Sequence, residues 1–182
     1  MNTNYFAKGL EVIAALLAAF GGFLLNVAPP DDTGVKFIVG ATSALMLLVF
    51  LFISAFTQGT ASPANRKYWL IIAGVSTLLF VGCTFFYWQS FERLTFLYPP
   101  EDIEQVRYVN GTKLTEKAAE QVRANPTISR TELLDKFGED QRHAVWTDIE
   151  NANRRLVISY VAMVLSLTLG LLCLTEGVLQ RR

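Results

Sequence analysis

The chain has one histidine, His143, two cysteines, Cys83 and Cys173, and no excess of either charge, with 16 Lys and Arg against 16 Asp and Glu. Each shortage excludes something. With a single histidine and no His, Cys, Asp or Glu at metal-ligand spacing, the sequence offers no metal centre. His143, beside Arg142 and close to Asp140, reads as an exposed loop residue rather than half of an acid–base pair. There is no Gly-rich phosphate loop, no G-x-S-x-G and no H-E-x-x-H, so neither an enzyme nor a cofactor is expected. Both cysteines fall inside apolar runs, where a thiol behaves as a small apolar group. They therefore imply no disulfide framework and no redox compartment. A net charge of zero supplies no general attraction to nucleic acid.

What the chain has is long apolar runs. Residues 9–28 carry only Glu11, and residues 37–57, 68–91 and 156–175 carry no charge at all. A hydrocarbon core of about 30 Å takes roughly 20 helical residues, and a soluble helix of that length would keep a polar face. Too little polar chain remains to wrap four such helices in a soluble core. The expected fold is thus an all-α membrane protein with four transmembrane helices, at about 8–28, 35–57, 67–91 and 156–178. The first run reads as a retained helix: Ala28-Pro29-Pro30-Asp31 is a poor cleavage context and only Lys8 precedes it. Tyr68 and Trp69 at one end of the third span, with Tyr87 and Trp88 at the other, suggest an aromatic belt.

Residues 1–92 would hold the first three spans and residues 93–147 a small soluble insertion, mostly helical with room for an α+β element. Ile103 to Val109 reads as a short extended segment before the Asn110-Gly111 turn. Thr115 can cap TEKAAEQVRA, and Ser129 with Glu132 makes a capping box for SRTELLDKF, which stops at Gly138. Thr147 and Glu150 repeat that pattern, and no breaker follows until Gly170. Residues 148–182 therefore hold one long helix, reaching Gln180 and about 50 Å in length, that enters the membrane only in its later part. The insertion would be welded to the fourth span without a flexible linker.

Three groups of residues invite a functional reading. Ser159, Ala162, Ser166, Gly170, Cys173 and Gly177 form a small, partly polar stripe along the last helix, suited to packing within one subunit or to lining a subunit contact or pore. Glu11 and Glu176 sit near span ends as gate or pore-mouth residues, or as interfacial anchors. Arg107, Lys113, Lys117, Arg123 and Arg130, interleaved with acids on the insertion, make either a solvated face or a surface for an anionic ligand. Basic residues near span ends are nearly balanced between the two sides, and Arg154-Arg155 tips the insertion slightly toward the cytoplasm. Asn110-Gly111-Thr112 matches a glycosylation acceptor but reads better as a turn.

The stretch from Tyr108 to Trp146, with its LT, NP, ELL, FG and VWT pattern running into the last helix, resembles a module of small multi-pass bacterial membrane proteins, some of which look like effectors of anti-phage defence. It covers about a fifth of the chain and contains no catalytic motif. The resemblance implies an inner-membrane, homo-oligomeric channel or pore whose soluble domain senses a nucleotide, oligonucleotide or partner protein and whose opening depolarises the cell. No residue role carries over from it. A tetraspan assembly protein that docks another membrane protein is the alternative reading.

Overall fold

The computed structural model describes residues 35–57, 66–98, 106–138 and 142–179. The first expected span, and Glu11 with it, lies outside these residues. Among them the order is α1 (Val35–Thr57), α2 (Arg66–Leu94), β1 (Thr95–Tyr98), β2 (Val106–Val109), α3 (Glu116–Ala124), α4 (Arg130–Phe137), α5 (Arg142–Val145) and α6 (Ile149–Leu179). The chain divides into two compact units. One contains residues 36–85 and 159–182, the other residues 86–158.

In the first unit the polarity of a soluble helix is inverted. Along α1 the buried positions Thr42, Met46, Phe50 and Ile53 fall on one face at helical spacing, while Leu47, Leu48, Leu51 and Phe52 face outward. On the part of α2 that belongs to this unit the buried residues are the small Ala73 and Ser76, whereas Leu78 is 75% exposed and Phe85 66%. Water would penalise this arrangement, since each exposed Leu or Phe forfeits about 1.5–3 kcal/mol of burial; lipid would not. Phe50, Ile53, Ala73, Leu172 and Cys173 form the core of this unit, flanked by Val49, Trp69 and Leu169. In its most apolar stretch α6 is 44% buried and α2 only 11%, so α6 is the inner helix and α2 an outer one. Hydroxyls in this apolar setting bond back to their own helices: Thr77 to the Ala73 carbonyl, Thr84 to Phe80 and Thr168 to Val164, each at 2.8 Å.

Two of these helices, α2 and α6, are long and apolar enough to cross a membrane. The apolar stretch Gly40–Ile53 of α1 is shorter, although α1 itself has 23 residues. The aromatic belt expected on the third span is incomplete. Tyr68 and Trp88 are exposed, but Tyr87 is buried and packs on Phe91 with ring centroids 5.7 Å apart.

The second unit is a small α+β head. The third helix does not end at residue 91 but runs to Leu94 and passes directly into β1, which pairs antiparallel with β2, Thr95 opposite Val109 and Tyr98 opposite Val106. Alternation on these strands sets Phe96 against Tyr108 (6.3 Å) and against Trp146 (5.6 Å). Both expected caps form: the Thr115 hydroxyl accepts from the Ala118 amide, and Ser129 and Glu132 make the reciprocal capping box. Gly138, at φ +93°, ends α4 in backbone territory that glycine favours. Thr147 does not cap the last helix. Its hydroxyl donates to the Lys113 carbonyl at 3.3 Å, and α6 begins at Ile149. The helix is nonetheless continuous for 31 residues, about 46 Å, as the missing breakers require.

Candidate functional site at the collar of the head

Within the head, two clasps fix the ends of the long helices. The first centres on Asp148, the residue preceding α6. Its Oδ1 accepts the Thr112 amide at 2.8 Å and the Lys113 amide at 2.9 Å, and its Oδ2 accepts the Thr112 hydroxyl at 2.5 Å. Partial burial pushes the Asp148 carboxyl up, but the Thr112 hydroxyl and the two amides outweigh it and hold the group below its ordinary value of 3.8. Gly111 is required here, because a Cβ would run into the Asp148 carboxylate and come within 2.8 Å of the Trp146 Cβ. The same segment is braced by backbone pairing, Thr115 N to Val145 O and Thr147 N to Lys113 O, each at 2.9 Å. Asn110 is only 3% exposed and its backbone N–H donates to the Leu94 carbonyl at 2.8 Å, so the asparagine extends the strand pairing and is buried, and the chain bends just beyond it at Thr112 and Lys113.

The second clasp holds the end of α2. Arg107 from β2 lays its guanidinium over the Phe91 ring, 4.8 Å from the centroid, and donates to the Thr95 hydroxyl at 3.1 Å. Arg130 from α4 donates to the Arg93 carbonyl at 3.1 Å, satisfying one of the acceptors that a helix C-terminus leaves open. Tyr98 donates its hydroxyl to Asp135 at 2.6 Å, tying β1 to α4.

These contacts divide the basic surface expected from the sequence. Arg107 and Arg130 are committed to the end of α2, and Lys113 lines a groove beside Asp148. Lys117 and Arg123 lie exposed on α3. The small-residue stripe divides as well. Gly170 and Gly177 are buried against α2, where a Cβ would meet Ser76 at 3.4 Å and Leu70 at 3.0 Å respectively, and Cys173 belongs to the core between them. Ser159 and Ser166 are half-buried and Ala162 is exposed. Glu176 is half-buried beside Gly177, whose carbonyl accepts from Arg66 Nε at 3.2 Å.

The sequence offered Gly111 and Thr112 only as part of a turn and did not single out Asp148 or Phe91. An acid just before a helix and an Asn-Gly-Thr turn are each recognisable, but nothing local says that they meet across 36 residues. Comparison with family models, with curated proteins and with solved structures finds no match for this chain.

Proposed function

We propose that the chain is a four-span subunit of a homo-oligomeric membrane channel, gated through its head and acting as a defence effector that collapses the membrane potential. The observation that carries this reading is that both long helices are continuous into the head: α2 runs straight into β1, α6 leaves the head without a break, and the end of α2 and the start of α6 are each clasped within the head. A rearrangement of the head on binding a nucleotide, oligonucleotide or partner protein would be passed to both helices, as bistable packed elements require. The face of α6 from Gly170 to Gly177 is occupied by α2, which supports a pore or subunit contact formed elsewhere, with Ala162 a candidate contact position.

The test is ion flux from liposomes containing the purified oligomer, with nucleotides and oligonucleotides applied to the head. Ligand-dependent flux that is lost when two glycines are inserted between Arg155 and Leu156, with the oligomer preserved, is the expected result. An intact oligomer that never conducts under any ligand would sink the channel reading. The burial of Gly170, Cys173 and Gly177 within one subunit favours a second reading, a tetraspan assembly protein whose head docks another membrane protein. That reading expects a monomer or dimer in detergent.

A further inference from the structure

Beside the Asp148 clasp, entirely within the head, lies a groove of about 480 Å³. Lys113, Arg154 and Arg155 bring three positive charges to it, and Leu94 and Ile158 give it apolar wall. Among the described residues Asp148 is the one carboxylate on its lining, and both oxygens of that carboxylate already accept protein donors, so the described lining carries more positive than negative charge. Lys113 arrives from a different part of the chain than the arginine pair. That convergence separates the groove from a simple arginine anchor at a helix end.

The polarity of the groove also changes along α6. Arg154 and Arg155 stand directly before the uncharged run 156–175, and Ile158, 57% exposed, follows Arg154 by one helical turn, about 6 Å. A ligand matching this gradient has an anionic end and an apolar continuation roughly one turn away. From this we infer that the groove binds the phosphate of an anionic phospholipid, with Lys113, Arg154 and Arg155 on the phosphate and Ile158 against the start of an acyl chain. The inference rests on the membrane-spanning part of the proposed function, because it places Arg154 and Arg155 at headgroup depth. Membrane lipid composition would then set the stability of the collar through which the head acts.

The experiment is a titration of the full chain in neutral detergent with dioleoylphosphatidylglycerol, dioleoylphosphatidylcholine and inorganic phosphate, read by native mass spectrometry. Phosphatidylglycerol is expected to bind in preference to phosphatidylcholine and to resist displacement by inorganic phosphate. Arg154→Gln and Lys113→Gln should each weaken it about fivefold, the usual effect of one basic residue near an anionic surface. Lys136→Gln, on α4 and outside the groove, should leave it unchanged. Ile158→Asn, which keeps every charge in the groove, should also reduce phosphatidylglycerol binding, and the emission of buried Trp146 reports whether each variant is folded. Equal binding of the two lipids, full displacement by phosphate, or folded Arg154 and Lys113 variants that bind as the parent does would each overturn the inference. Partition of the chain into the aqueous phase of a detergent cloud-point separation would instead overturn the spanning reading.

Discussion

Gly111 leaves no room for a side chain. Its missing side chain lets the segment 110–113 press against Trp146 and deliver the Thr112 and Lys113 amides and the Thr112 hydroxyl to Asp148. Gly111→Ala should destabilise the head by roughly 1–3 kcal/mol, the ordinary cost of overpacking a site whose neighbours cannot withdraw. Emission from Trp146, isolated by replacing Trp69 and Trp88 with Phe, follows this as a lowered thermal midpoint. Asp148 adds a pH dependence of known sign. Its folded-state value lies below the ordinary 3.8, so its contribution is fully present above about that pH and disappears as the pH falls through the folded value. In the same Trp146 assay, the gap in thermal midpoint between the parent and Asp148→Asn should be constant from neutrality down to about pH 5 and should shrink below about pH 4. A gap that widens on acidification would contradict the clasp.

The long helices differ in what they present to each other. α6 meets α2 through glycines at 170 and 177, and the two positions are not equally tight. At Gly170 an added Cβ would sit 3.4 Å from Ser76, ordinary contact, so Gly170→Ala should be nearly neutral. Gly170→Leu must displace α2 and should cost on the order of 1–3 kcal/mol, visible as a lower melting temperature in detergent. If Leu is tolerated as well as Ala, α6 does not approach α2 through this face. The notched side of α6 thus serves close backbone approach. Periodicity of small residues groups Gly170, Cys173 and Gly177, which lie against α2, with Ala162, which is exposed, and it names no partner, because a GxxxG-like spacing is equally suited to a neighbouring subunit. On α1 Gly40 and Ala44 are exposed, and the buried line runs through Thr42, Met46, Phe50 and Ile53.

Taken as a whole, the chain carries apolar helices and a head, residues 86–158, whose large buried side chains among the described residues include Leu133, Leu134, Val145, Trp146 and Leu156. A head of this size is marginal alone, and the helix ends built into it are part of what holds it together. If four spans cross, the segment 58–65 and the C-terminus face one compartment and the head the other. Single cysteines placed at Ser62 and at Lys117, in a chain with Cys83 and Cys173 replaced, should be labelled by an impermeant maleimide from opposite sides of sealed vesicles. Labelling from the same side would remove the third span. Size-exclusion chromatography with light scattering decides between the two functional readings, since a strict monomer is incompatible with a shared pore.

What the sequence by itself determined is everything written in short-range pattern: the apolar blocks that fix the long helices, the caps at Thr115 and Ser129, and the glycine stop at Gly138. These depend on residues within three or four positions of one another, where helical geometry leaves little choice. Thr147 marks the limit. Its T-x-x-E pattern is locally sound, yet its hydroxyl is taken by the Lys113 carbonyl, a competitor 34 residues away. Only the tertiary structure decided the Asp148 clasp, the commitment of Arg107 and Arg130 to the end of α2, the seating of Gly170 and Gly177 on α2, and the convergence of Lys113 with Arg154. Each depends on which surfaces meet once the chain has closed distant segments on one another, and a one-dimensional spacing carries no record of that.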